Sequence, residues 1–216
     1  MKKVLSIVIL TVIGLSGLPA QSAGDYGLIY SFHPTPPNRW ITVGSQPNVP
    51  EIDPTNLHSI GAVYYATDTV ALQPSLIFGR IKASTSVNPD TGDSVDIRED
   101  KLFVLGLEMA VPVVLHTVEN ISLFVAPAPR FLRATYSYTD EQNSTNDEKW
   151  IFAEFGVAVK VGAQVTFGRF GVFSSWGLRA DYINLKREYD DRDVTTKGPA
   201  FGTSQAQIGL VYYIQE

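Results

Sequence analysis

The chain has 216 residues, a formal net charge of −5 and no cysteine. The absence of thiols excludes disulfides, thiolate metal sites and a lipidated N-terminal cysteine, and suits a fold that needs no covalent staples in an oxidising compartment. An acidic chain without basic clusters argues against nucleic-acid binding.

Residues 1–23 read as a cleaved secretory signal. Lys2 and Lys3 start it, Val4 to Leu15 is an apolar run, and Pro19 precedes Ala20-Gln21-Ser22-Ala23. Cleavage is expected after Ala23 or after Ser22. The alternative, a permanent anchor, is disfavoured because the run is short against the about 20 residues of a spanning helix. Residues 24–216 then form a single domain. No later stretch is long and apolar enough for a transmembrane helix, so the chain can span a membrane only with strands.

Eight strands are predicted. The first covers about Tyr26 to Phe32 and resumes at Trp40 to Ser45. The others are about His58 to Ala66, Val70 to Ser84, Lys101 to Leu115, Ile121 to Tyr138, Trp150 to Phe167, Phe170 to Glu188 and Ala200 to Ile214. Tight joints fall near Thr67-Asp68-Thr69, His116-Thr117-Val118-Glu119 and Gly168-Arg169-Phe170-Gly171. Longer loops are expected at 33–57, 85–100, 139–149 and 189–199, the first rich in proline. Hairpins tight at one end and loose at the other are what a membrane-spanning β-barrel requires. An even strand count puts both ends of the sheet on the tight-turn side.

Side chains on a strand alternate between two faces. Leu72, Pro74, Leu76 and Phe78 oppose Ala71, Gln73, Ser75 and Gly79, with Ile77 an exception. Phe103, Leu105, Leu107, Met109, Val111 and Val113 oppose Gly106, Glu108 and Ala110. Phe155, Val157, Val159 and Val161 oppose Glu154, Gly156 and Lys160. Val172, Trp176, Leu178 and Tyr182 oppose Ser175, Gly177, Arg179 and Asp181. In the last strand Ile208, Leu210, Tyr212 and Ile214 oppose Thr203, Gln205, Gln207 and Gly209. A soluble lipocalin-like barrel would turn the greasy face inward. The small residues of the polar face suit a narrow interior instead. The apolar face is unbroken over about the 9–11 residues that cross a bilayer. Phe78, Phe131, Trp176, Tyr182 and Tyr212 could form interfacial belts, and Arg80, Lys82 and Arg133 could snorkel. The expected fold is therefore an all-β, eight-stranded antiparallel up-and-down transmembrane barrel.

Two stretches carry a family resemblance. Tyr64-Tyr65-Ala66-Thr67-Asp68-Thr69-Val70-Ala71-Leu72-Gln73-Pro74-Ser75-Leu76 looks like a hairpin common in small eight-stranded outer-membrane β-barrels. That superfamily includes the outer-membrane protein A transmembrane domain and the porin-family barrel domains. Ile208 to Ile214 resembles its closing strand, although the chain ends on Gln215-Glu216 where many members end on phenylalanine. The resemblance implies a Gram-negative cell outer membrane, reached by export through the inner membrane. It implies the barrel-assembly machinery as a partner in biogenesis, outer-membrane lipid and lipopolysaccharide as surroundings, and a monomer.

The face assignments place Glu108, Arg130, Glu154, Lys160, Arg179 and Asp181 inside, three positive and three negative. Eight strands enclose a space just wide enough for side chains, so these charges must pair. One reading is a salt-bridged plug. The other, by analogy with related barrels, is a gate in which the pairs exchange partners and pass small solutes.

Some barrels of this size modify lipid A, and such chemistry needs a histidine beside a serine at the lipid-exposed rim. His116 is expected in a tight turn and His33 at the opening of the proline-rich loop. His58 precedes Ser59, with Asp53 nearby, but adjacent strand residues face opposite ways. No nucleophile motif has convincing spacing. Asp90, Asp93 and Asp96, and Asp190, Asp191 and Asp193, lack a full calcium-ligand loop and read as solvated acidic loops. No cofactor is implied. The expected role is a non-enzymatic integral barrel whose surface loops make contacts with an unknown ligand. A small gated channel and a lipid A-modifying enzyme are the alternatives.

Overall fold

The computed structural model describes residues 22–33, 41–42, 57–87, 96–140, 148–189 and 192–214. Among them are ten strands: β1 (Tyr26–His33), β2 (Ile41–Thr42), β3 (Leu57–Tyr65), β4 (Ala71–Val87), β5 (Asp96–Ala110), β6 (Val113–Val118), β7 (Ile121–Asp140), β8 (Glu148–Phe167), β9 (Phe170–Tyr189) and β10 (Arg192–Ile214). All pairings are antiparallel. The wall runs β1-β3-β4-β5-β7-β8-β9-β10, and β10 closes onto β1 from Tyr26↔Ile214 to Phe32↔Ile208. β6 continues the β5 stave along β7, so the barrel has eight staves.

The staves alternate in burial over most of their length because each has one face on the interior, whereas β6 shows no alternation. β1 reads exposed-buried along its whole length. The outward residues are the greasy ones: Phe155 is 65% exposed and Leu178 63%, and Leu28, Leu107 and Leu210 also point out. Exposed aromatics gather at two levels. Tyr26, Tyr64, Phe170 and Tyr212 stand near the tight turns, and Phe32, Phe78, Phe103, Phe131, Phe155 and Tyr182 stand towards the loops, with Trp176 between the two levels. An apolar band flanked by aromatic girdles is the outer surface of a membrane barrel, not of a soluble one. Ile77 faces inward and is buried, which accounts for its break in the pattern.

Several predicted boundaries are corrected. The strand expected over 101–115 breaks at Val111-Pro112, because proline lacks the N–H that a ladder needs. Hydrogen bonding continues across the break through Val111 N–H to the Pro127 carbonyl (2.9 Å) and Ala71 N–H to the Pro112 carbonyl (2.9 Å). Val111 and Val113 are consequently half-buried instead of fully on the outer face. His116 belongs to β6, and the turn is Glu119-Asn120 between the paired Val118 and Ile121. The stretch expected to loop over 189–199 is mostly strand, from Arg192↔Tyr189 to Gly198↔Ile183. Its β-branched Val194, Thr195 and Thr196 favour an extended chain although their faces are polar. In β10 the register shifts between Ser204 and Gln207. The extra residue of this β-bulge reverses the alternation. Ser204 and Gln207 are therefore both buried, and Thr203 is not on the face of Gln207. Gln205 lies at the bulge, and its side chain is outside the described residues. The predicted resumption at 40–45 is described only at Ile41–Thr42, which pairs with Phe201 and Ala200 of β10.

Two tight turns use a left-handed residue at the same place. Gly168 has φ 57° and Glu119 has φ 53°. Glycine takes this conformation freely, whereas an L side chain is strained there by about 1–2 kcal/mol. Glu119→Gly is expected to raise stability by about 0.5–1 kcal/mol, read as a higher urea midpoint in lipid vesicles. An unchanged or lowered midpoint would show that the Glu119 side chain compensates for its backbone. Gly177 has a different reason to be glycine. A Cβ there would strike the Val159 carbonyl and the Lys160 backbone on the neighbouring strand. The two strands approach closely beside the buried Lys160.

Candidate functional site in the barrel interior

The six charged residues come from four adjacent staves: Glu108 from β5, Arg130 from β7, Glu154 and Lys160 from β8, Arg179 and Asp181 from β9. All six side chains point inward and are nearly inaccessible, Glu154 being 1% exposed. The structure joins them into two groups.

Glu154 is the hub of the first. Its Oε1 accepts Arg130 Nη2 at 2.7 Å from one side and Arg179 Nη1 at 3.1 Å from the other. Arg179 Nε also lies 3.4 Å from Asp181 Oδ2. β8 makes room for this group with Gly156 and Ala158, both inward and buried. A Cβ on Gly156 would collide with Asp181 Oδ1. In the second group, Lys160 Nζ donates to Glu108 Oε1 at 2.5 Å and to Gln207 Oε1 at 3.2 Å. Gln207 Nε2 donates to Ser31 Oγ at 2.7 Å, and the Ser31 and Ser59 hydroxyls bond each other. A polar chain therefore crosses the interior from β5 through β8 and β10 to β1 and β3.

Apolar layers bracket the charges. Towards the tight turns lie Ile29, Val63, Tyr65, Ala71, Phe173, Val211 and Tyr213. There Gln164 Nε2 donates to Tyr213 Oη. Towards the loops lie Leu57, Leu102, Val104, Leu132 and Ala134, packed by Tyr136 and Phe152. Further out, the Arg187 guanidinium sits 4.7 Å over the Trp150 ring. Chemically, this interior can hold charge in fixed pairs within a low-dielectric shell, where breaking a pair is costly.

Sequence reasoning missed Ser31, Ser59 and His33 as interior groups. Ser31 alternates with the greasy Tyr30 and Phe32, and that signal could have found it. His33 ends β1 and turns inward rather than opening a loop. It is buried, and among the described residues neither ring nitrogen has a hydrogen-bond partner. His58 faces outward, where its Nδ1 bonds Tyr30 Oη at 2.7 Å and its ring stacks on Phe78. Ser59 bonds Ser31 on the inner side, so the wall separates His58 from Ser59. Among the described residues no His, Asp or Glu group is arranged to hold a metal. Asp53, Asp90, Asp93, Asp190 and Asp191 lie outside the described residues, as does the Asp96 side chain.

On the loop-side rim, Lys186 bonds Glu188 (2.7 Å) and Asp193 (2.8 Å), and Lys149 lies 3.6 Å from Glu188. The bonds to Asp193 and Glu188 hold the Lys186 ammonium above its usual range. The bond from Lys186 holds Glu188 below the usual carboxylate range.

No protein-family model and no curated protein matches this sequence. Solved structures do. A major outer membrane protein of Thermus thermophilus aligns over 89% of this chain and 100% of its own, with 9% identity and a TM-score of 0.51. Ail, the attachment invasion locus protein of Yersinia pestis, aligns over 89% and 99%, with 11% identity and a TM-score of 0.40. CarO2 of Acinetobacter baumannii aligns over 90% and 100%, with 10% identity and a TM-score of 0.40. At 9% identity and a TM-score of 0.51, the likeness to the Thermus protein speaks for fold alone. With the greasy outer face, the aromatic girdles and the closed eight-stave wall, the fold is that of a small outer-membrane β-barrel.

Proposed function

We propose that this chain is a non-enzymatic integral protein of the outer membrane, a closed barrel that anchors surface-exposed strands and loops for contact with other molecules. Residues 1–23 serve as the export signal, the barrel-assembly machinery inserts the mature chain, and it works as a monomer among outer-membrane lipid and lipopolysaccharide. The observation that carries this reading is the ion-paired interior held between two apolar layers. Such a filling favours a plug over a pore. The separation of His58 from Ser59 by the wall, with their bonds made on opposite sides, weighs against a lipid-modifying catalytic pair.

One observation favours a gated channel as the second reading. Arg130 is bonded to Glu154, yet Glu108 is its direct cross-strand partner. A guanidinium with two carboxylates in reach can exchange between them. Planar-bilayer recording and liposome swelling separate the readings. The closed anchor predicts wild-type protein with no conductance above protein-free bilayers and swelling equal to that of empty liposomes. Arg130→Ala, by removing the middle of the network, is expected to give openings where wild type gives none. Steady wild-type conductance would favour the channel. If Arg130→Ala changed neither melting nor conductance, Arg130 would have no part in closing the interior.

A further inference from the structure

The start of β1 is tied to the hairpin between β3 and β4 at the tight-turn end of the barrel. Gly24 N–H donates to the Tyr65 carbonyl and Tyr65 N–H to the Asp25 carbonyl, both at 2.8 Å. These bonds carry the β1–β3 ladder past its last registered pair, Tyr26↔Tyr64. The next nitrogen back, that of Ala23, leaves the ladder and donates to a side chain, Asp68 Oδ1, at 2.8 Å. Asp68 is the middle residue of Thr67-Asp68-Thr69. Thr67 Oγ1 holds this turn by accepting Thr69 N–H (3.3 Å) and Val70 N–H (3.0 Å). The turn therefore needs nothing from the Asp68 carboxylate, which is exposed and turned to the start of β1.

One residue further back, Ser22 N–H donates to Asp25 Oδ2 at 2.8 Å. Among the described residues no lysine or arginine pairs with Asp25 or Asp68. Two carboxylates without a cation thus hold backbone nitrogens at the junction where the export segment ends. Residue types at this junction favour one of its two candidate cuts. A cut between Ser22 and Ala23 puts the small Ser22 and Ala20 at the last and third-last positions of the leader, as signal removal requires. A cut after Ala23 would put the larger Gln21 third from last.

We propose that the export segment is cut between Ser22 and Ala23, and that Asp68 is the binding site for the α-ammonium this cut creates. A signal-removing peptidase adds one water across the peptide bond, leaving a carboxylate on the departing Ser22 and an ammonium on Ala23. The Ala23 nitrogen already sits on Asp68, so a neutral N–H···O bond becomes a charge-assisted one with no movement of the chain. Asp25 loses Ser22 as its partner and stands as a second carboxylate near the same ammonium. The clamp fastens the end of β1, the strand that closes the wall against β10. The inference rests on the export-signal reading above and ends that segment at Ser22, one residue before the boundary given there.

The test begins with the full 216-residue precursor, produced in a Gram-negative host. Intact mass and N-terminal sequencing of the membrane-inserted barrel are expected to show a chain that starts at Ala23. A start at Gly24, or at any other residue, overturns the cut. Uncut precursor in cells that process their other exported proteins would instead overturn the export-signal reading beneath it. The clamp is then read by amide hydrogen exchange at Tyr65, the ladder bond beside it, in the mature chain folded in detergent. Asp68→Asn is expected to speed that exchange by about two- to fivefold, and so is acetylation of the α-amine. Both changes together are expected to act as one, because each removes the same pair. Additive effects, or exchange that acetylation leaves unchanged, would overturn Asp68 as the site. Heat-modifiable gel migration separates a lost clamp from a lost fold, and the acetylated wild-type chain carries the test alone if Asp68→Asn fails to fold.

Discussion

Glu154→Ala is expected to destabilise the folded barrel by about 3–5 kcal/mol, the usual consequence of removing one partner from a buried ion pair. The effect belongs at the upper end of that range because one oxygen, Glu154 Oε1, accepts both Arg130 and Arg179. Both guanidiniums are buried beside it. Losing the carboxylate leaves two cations facing each other in a space with little room for water. Arg179 keeps Asp181 as a partner at 3.4 Å, whereas Arg130 must turn to Glu108, which already serves Lys160. Urea unfolding in lipid vesicles, followed by tryptophan fluorescence and gel mobility, measures the loss. Lys149→Ala provides the contrast, since its exposed pair with Glu188 is worth about 0–1 kcal/mol. A Glu154→Ala variant that matched Lys149→Ala would mean that the arginines are hydrated and the interior is open.

The second large effect concerns the opposite face. Leu178→Arg places a cation in the outward band between Trp176 and Tyr182, at a position 63% exposed. In a bilayer this is expected to cost about 2–4 kcal/mol near the midplane. On the outer wall of a soluble barrel the same change would cost almost nothing, since a surface charge in water is well solvated. Refolding yield and urea midpoint in vesicles report the difference, with Lys197→Arg as a rim control. Wild-type stability for Leu178→Arg in lipid would mean that hydrocarbon does not wet this face.

The two experiments bear on one design from both sides. A narrow barrel has no separate core layer, because its wall is one residue thick. Each substitution therefore reports on a single environment. Val157 and Leu178 report on lipid, and Glu154 and Arg179 report on the interior.

Period-two alternation needs only the strand's own geometry, so which residues of β8 and β9 share a face is legible in the chain. The positions of the tight turns are legible too, although the Glu119-Asn120 turn sits beyond His116 because Thr117 and Val118 prefer extended backbone. The polar run from Arg192 to Gly198 misleads, because its composition is that of a loop. A strand that rises beyond the apolar band has no need of greasy residues on either face. The β10 bulge is hidden as well. Nothing in Ser204 to Gln207 announces an extra residue, and the shift appears only when β9 is laid beside it.

Residue order alone is enough to build strands with one greasy and one polar face, and to put three positive and three negative side chains on the polar one. Which carboxylate serves which cation is set by the closed wall. Glu154 meets both Arg130 and Arg179 because β7 and β9 flank β8 at a set register, and Lys160 meets Gln207 because the β10 bulge brings Gln207 to the inner face. Alternation is a property of neighbouring residues along one strand, whereas ion pairing depends on the stagger between strands, which exists only once the sheet has closed.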